Sequence, residues 1–290
     1  MIMKKSLFTW AFICISFSLW SQPKAPTGKS WELVETLSDE FNANSLDSKK
    51  WRNYHPYWTG RGSTFRPYNV WVENGSLRLK STRGKKGIDA ACVSSQNPKF
   101  EKGYYSEARI WCPSMSMTGA YWFQNRSESE IDVIENFGKP TNHTKDRYRM
   151  LVNTHYFANG WENDEKSPWH NGSAILKPYA CDETYYVYGV WWKDEHTIIF
   201  YLDGKEVHRV TTKSEFTQPM YMFFDMEVFG WWGAPKEEDL ADSTKNTQYV
   251  DWVRTFKLRH DKRGITGGEG ISKGDKNTDY PKDPRQKTSK

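Results

Sequence analysis

Ile198-Ile199-Phe200-Tyr201-Leu202-Asp203-Gly204-Lys205-Glu206-Val207-His208-Arg209-Val210 decides the fold class. Two runs of β-branched and aromatic residues flank an Asp-Gly pair, which supplies the two positive-φ positions that a tight hairpin turn demands. The arrangement recurs at Asn74-Gly75, between Val70-Trp71-Val72 and Leu77-Arg78-Leu79. Outward from these hairpins, short β-rich runs over 104–111, 120–124, 130–136, 149–157, 185–192, 220–229 and 249–258 alternate with Gly, Asn, Asp and Pro, and almost nothing has helical period. Ten or more strands in about 230 residues would curl or split a single sheet, so the expectation is an all-β jelly-roll sandwich of two stacked antiparallel sheets.

The 290 residues include 15 Trp, 16 Tyr and 15 Phe, more rings than one core of this size needs, and some are expected to face a ligand. Charge narrows the partners. The net +5 comes from Lys4, Lys5 and a basic stretch at the C-terminus, leaving the body at about −1. A nucleic-acid binder carries its cations on the folded domain, so nucleic acid is excluded as a partner.

Residues 1–21 read as a signal peptide, with Lys4 and Lys5 ahead of an apolar run of about a dozen residues, too short to span a bilayer. The expected product is secreted, periplasmic or displayed at the cell surface, monomeric, and without a membrane span. Residues 22–261 form the catalytic domain in this reading, and 262–290 have too few apolar residues to offset the cost of ordering them. Beyond Cys14 in the leader, Cys92, Cys112 and Cys181 allow at most one intramolecular disulfide and match no metal framework.

The chemistry is concentrated in Glu130-Ile131-Asp132-Val133-Ile134-Glu135. Strand alternation puts Glu130 and Asp132 on one face and Ile131 and Val133 on the other. Glu135 falls an odd step beyond Asp132, and one bulged residue near Val133-Ile134 returns it to the acidic face. Three carboxyl groups then share a face. A gap of about 5 to 6 Å between the outer two suits a retaining glycosidase, in which one carboxylate attacks the anomeric carbon while the other protonates the departing oxygen. Asp132 between them can orient Glu130 and keep Glu135 protonated. A solvated acidic strand is the plain alternative, and a non-catalytic carbohydrate-binding module or lectin would use the same acids only to grip hydroxyls.

This hexapeptide resembles the bulged signature of glycoside hydrolase family 16. Asp39-Glu40-Phe41-Asn42, Val72-Glu73-Asn74-Gly75-Ser76-Leu77 and Val250-Asp251-Trp252-Val253-Arg254 resemble further family hallmarks in the expected order. The resemblance implies a curved jelly-roll with an open cleft, Glu130 as nucleophile, Glu135 as acid/base and Asp132 as the assisting acid. The chemistry needs no cofactor. A structural calcium is implied through Asp251 and a backbone oxygen near Gly75, although two candidates fall short of the six or more oxygens that ion takes.

Within the family, Trp51-Arg52, the run His55-Pro56-Tyr57-Trp58-Thr59-Gly60-Arg61-Gly62 and Trp231-Trp232-Gly233-Ala234-Pro235 resemble the branch acting on red-algal galactans, the β-porphyranases and β-agarases. The implied partner is sulfated or neutral galactan, with porphyran ahead of agarose. Arg61 beside Trp58 is the expected sulfate site, because a guanidinium presents several donors in one plane and stays charged. Arg126 is a second candidate. Trp122 is expected as a stacking platform beside Trp58, His155 resembles a cleft histidine, and Glu227, on the face of Asp225, is expected to hold a sugar hydroxyl.

Overall fold

The computed structural model describes residues 22–157, 165–166, 170–175 and 179–260. The leader, Cys14 and the basic tail of the sequence reading lie outside these residues. Two eight-stranded antiparallel sheets enclose one apolar core. In the sheet that bears the functional groove, the strands run Glu165–Lys166, Arg149–Tyr156, Ser129–Phe137, Thr118–Gln124, Tyr221–Asp225, Cys92–Ser95 and Trp51–Arg52, with His170–Ile175 also paired to Arg149–Tyr156. The second sheet runs Lys205–Thr211, Thr197–Leu202, Tyr186–Trp192, Tyr105–Trp111, Thr247–His260, Ser76–Lys80 and Val70–Glu73, with Lys29–Leu33 on Thr247–His260.

The hairpin turns form as their residues dictate. Asn74 and Gly75 take φ of 51° and 71°, and Asp203 and Gly204 take 48° and 74°. Two positive-φ residues in succession match the right-handed twist of the strands they join. Alternation then sorts the side chains: Tyr121, Phe123, Met222 and Phe224 enter the core, while Trp122, Gln124, Phe223 and Asp225 stand on the opposite, groove-bearing face.

Two features depart from the sequence reading. The run 220–229 forms a strand only over Tyr221–Asp225, because the next backbone donors go elsewhere: Met226 N–H to Ala91, Glu227 N–H to the Thr118 hydroxyl, and Val228 N–H to Arg61. A small third sheet of Thr64–Phe65, Gly87–Ala90 and Thr82–Gly84 includes one parallel pair. Cys92, Cys112 and Cys181 are buried free thiols. Among the described residues no helix is long and apolar enough to cross a membrane.

Candidate active site

The acidic strand Ser129–Phe137 sends Ile131, Val133 and Ile134 into the core, and its pairing with Thr118–Gln124 shows how that leaves all three acids outside. Gln124 pairs with Glu130, Phe123 with Ile131 and Trp122 with Asp132; the next pair is Tyr121 with Ile134, so Val133 is an extra residue. That bulge advances the alternation by one. Glu135, paired with Ala120, emerges beside Glu130 and Asp132 and lines the same groove of about 580 Å³.

The neighbouring strand completes the cluster, because Glu130 pairs with His155 and Asp132 with Asn153. His155 Nε2 stands 3.6 Å from Glu130 Oε1 and 3.5 Å from Asp132 Oδ2, and 2.9 Å from Asn153 Nδ2. The Gln124 amide donates to Glu130 Oε2. Among the described residues, Glu130, Asp132 and His155 are the single His/Cys/Asp/Glu group close enough to hold a metal ion, with ligand atoms within 4.8 Å of one another.

Burial and like charge act together on these acids. Glu135 is pushed up to about 8, first by burial and then by the charge of Asp132. Burial also drives Glu130 well above the usual carboxylate range, Asp132 adding to the effect while His155 and the Gln124 amide oppose it. Glu135 therefore holds its proton at neutral pH, and its titration is linked to that of Glu130 through the Asp132 between them. Because the unfolded carboxyl ionises near 4.5 and the folded Glu135 near 8, the native state binds more protons between these values, and stability falls as pH rises through that window. Glu135→Gln is expected to leave Tm almost unchanged at pH 4 and to raise it by several degrees at pH 8, at roughly 2–4 °C per kcal/mol recovered. Calorimetry across that range checks it, and a pH-independent Tm difference counts against the assignment.

The segment after Trp51–Arg52 folds back over the sheet as a wall of the groove. Its anchor is His55, whose Nδ1 accepts the N–H groups of Tyr57 (3.3 Å) and Trp58 (3.0 Å) and whose ring stacks on Phe223 at 4.3 Å. Burial depresses its pKa to about 3, so the ring stays neutral. Glu227 Oε1 accepts from both Trp58 Nε1 and the Arg61 N–H, each at 2.7 Å, and clamps the loop to the sheet. Gly62 lets the chain pass close by: at φ +61° a Cβ there would stand 2.8 Å from the Val228 Cβ. Arg61 lies 5.0 Å from the Phe229 ring centroid and 5.9 Å from that of Trp231.

Trp58, Arg61, Trp122, His155 and Glu227 thus all line the groove with the three acids. Trp122 stacks on Phe223 and donates to Asp225 Oδ2 at 2.9 Å. Glu227 differs from expectation, since one of its oxygens already serves the loop. Among the other tryptophans, Trp232 is buried with its N–H on Asp146, Trp191 packs with Tyr105 and Phe256 away from the groove, and Trp231 is 53% exposed at its edge. Gln124, Asn153, Asp225 and Phe229 also line the groove and were not singled out as site residues in the sequence. Alternation could have found two of them, Gln124 from Trp122 and Asn153 from His155.

Arg126 does not line the groove. Asn125 Oδ1 accepts the N–H groups of Ser127 and Glu128, a turn that swings Arg126 outward until its guanidinium lies 5.9 Å from the Tyr57 ring centroid. The implied calcium is not supported either. Asp251 Oδ2 accepts from Arg109 Nη1 at 2.6 Å, and a carboxylate already neutralised by a guanidinium, with one backbone oxygen near Gly75, is a poor site for a cation that seeks six to eight oxygens.

A two-sheet sandwich with a carboxylate-lined groove is an architecture of polysaccharide hydrolases, and the comparisons with known proteins identify which. Residues 31–258 match the family model described as the GH16 domain of beta-porphyranases A–D, and the chain belongs to this glycoside hydrolase family 16 group. Beta-porphyranase E of Zobellia galactanivorans is 34% identical over 252 residues, spanning 80% of this chain and 90% of its own. Beta-porphyranase B of Phocaeicola plebeius is 32% identical, over 81% and 87%. Among solved structures, a beta-porphyranase from the human gut bacterium Bacteroides plebeius superposes with a TM-score of 0.74 at 29% identity, covering 83% of this chain and 96% of that one. Beta-agarase A of Zobellia galactanivorans gives 0.77 at 25% identity, over 85% and 98%.

Proposed function

We propose that this chain is an exported, endo-acting, retaining hydrolase of the β-1,4 linkages of red-algal galactan, with porphyran as its preferred substrate. The bulge at Val133 carries the reading, since it delivers Glu135 to the face of Glu130 and Asp132. In the reaction, Glu130 attacks the anomeric carbon as Glu135 passes its proton to the departing glycosidic oxygen. The C–O bond breaks, and a glycosyl ester forms on Glu130. Water then enters, Glu135 takes its proton, and the new C–O bond releases the sugar with its original configuration. Glu135, protonated up to about pH 8, suits the acid role. Burial and Asp132 raise the pKa of Glu130, and His155 and the Gln124 amide, which favour the ionised form that attacks, offset part of that rise. Asp132, 3.5 Å from His155 and paired across the sheet with Asn153, raises the pKa of both glutamates by its nearness.

The relatives named as porphyranases favour a sulfated polymer, and so does Arg61, a groove-lining guanidinium 5.0 Å from the Phe229 ring centroid and 5.9 Å from that of Trp231, where a sulfate would meet both a charge and stacking rings. Arg61→Ala is expected to lower kcat/KM on porphyran by about tenfold to a hundredfold, the worth of a charge-assisted hydrogen bond, and far less on agarose. Equal losses on both polymers would remove the sulfate argument.

One observation favours neutral agarose instead: five carboxyl groups, Glu130, Asp132, Glu135, Asp225 and Glu227, line the groove, and each that ionises opposes a polyanion away from Arg61. Reducing ends released by the purified protein from porphyran and from agarose, side by side, decide between the two. Release from neither polymer would leave only a binding module.

A further inference from the structure

Beyond the groove, on the far side of the loop that His55 anchors, a second cationic patch stands on the same sheet. Pairing runs across the sheet from Asp132 through Trp122, Phe223 and Ser94 to Arg52, so Arg52 lies four strand spacings, about 19 Å, from the acidic strand. Because Trp51 points into the core, alternation turns Arg52 to the groove-bearing face, on the edge strand. Its guanidinium stands 6.0 Å from the Tyr54 ring centroid and 5.8 Å from that of Tyr221. Tyr221 meets Tyr57 edge-on at 6.3 Å, and Tyr57 in turn carries Arg126 at 5.9 Å. The Tyr57 hydroxyl donates to Gln124, which ties this row of rings to the groove.

Both arginines lack the acidic partner that surface cations commonly find. Among the described residues neither guanidinium has a hydrogen bond or an ion pair, and Arg52 Nη1 is shielded from water without an acceptor. Nε and Nη2 of Arg52, not shielded in this way and without a hydrogen bond among the described residues, are the donors left to an incoming anion. Nε and Nη2 lie along one edge of the planar guanidinium and can make two parallel hydrogen bonds to one anion, which matches a sulfate better than a point charge would. The exposed Tyr54 ring beside it, at 48%, offers the flat apolar face that a pyranose covers.

We propose that Arg52 and Arg126, carried on Tyr54, Tyr221 and Tyr57, form a second binding surface on the rim that takes a sulfate ester of the galactan chain outside the catalytic groove. It rests on the galactan reading above and extends it: the groove, crowded with carboxyl groups, handles the reacting bond, while the rim holds a charged stretch of the same polymer. An anion site of this kind weakens with added salt, as exposed charge pairs do.

Electrophoresis of the Glu130→Gln protein through gels containing porphyran or neutral agarose tests it, with polymer left uncleaved. Arg126→Ala, at an exposed turn where folding is not at stake, is expected to weaken porphyran retention by about threefold. Arg52→Ala is expected to weaken it by about fivefold and the pair together by about tenfold or more, with agarose retention changed by less than twofold. Arg52→Lys, which keeps the charge and loses the planar fork, should fall between Arg52→Ala and the parent. Porphyran retention unchanged in both single variants, or lost in parallel on agarose, overturns the rim site. If the wild-type chain still releases reducing ends from porphyran, that result leaves the hydrolase reading standing; a wild-type chain that neither binds nor cleaves porphyran overturns both.

Discussion

Glu130→Gln is expected to lower kcat on the galactan substrate by about 10⁴-fold or more, with Tm unchanged or raised. The amide is nearly isosteric and keeps the side chain between Gln124 and His155, so the groove retains its shape. It cannot form a glycosyl ester, and covalent catalysis ends. Stability should move the other way. Glu130 is buried, with its pKa driven up by desolvation and by Asp132, and removing a charge from such a cluster relieves repulsion that the folded state bears for function. Residual activity measured on porphyran and agarose, with a melting curve of the same preparation, checks both halves. Wild-type turnover by this variant would end the nucleophile assignment; a collapse of Tm would show that the residue is structural.

Glu135→Ala is expected to cost about 10² to 10⁴ in kcat on the polymer, the range that a positioned proton donor supplies. Its signature separates it from Glu130. With the acid gone, substrates whose leaving group departs without a proton should recover much of the first step, and azide, which needs no base, should intercept the glycosyl ester and give a glycosyl azide of retained configuration. The wild-type pH profile carries the same information: kcat/KM should fall above about pH 8, where Glu135 loses its proton, and this limb should vanish for the variant acting on an activated substrate. An alkaline limb that persists in the variant, or an azide product of inverted configuration, would reassign the role.

Much of this was legible in the chain. Asn74-Gly75 and Asp203-Gly204 announced their hairpins because few other dipeptides tolerate two positive φ angles in a row. The bulge in the acidic hexapeptide was legible from Glu135, which lies an odd step beyond Asp132 and joins the acidic face only if one residue is extra. What stayed hidden depends on partners far away in sequence. The strand expected through 229 stops at Asp225 because Ala91, Thr118 and Arg61 capture the next backbone donors, and no local pattern encodes that. That Asn153 stands opposite Asp132 follows from a register between strands that no local pattern sets, and Arg126 leaves the groove through an Asn125 turn that composition does not distinguish from a strand end. The parallel pair between Thr64–Phe65 and Gly87–Ala90 is too short to show any period.

The Glu227 clamp on the Trp58–Arg61 loop has a consequence for how such enzymes diversify. On the proposed reading, the acids that act on the bond are set by backbone pairing deep in the sheet, whereas Trp58 and Arg61, which would meet the sugar decorations, ride on a flap fastened at a few points. Selection can therefore redraft the flap and shift the diet of a lineage from one seaweed gel to another while the cutting apparatus is inherited intact.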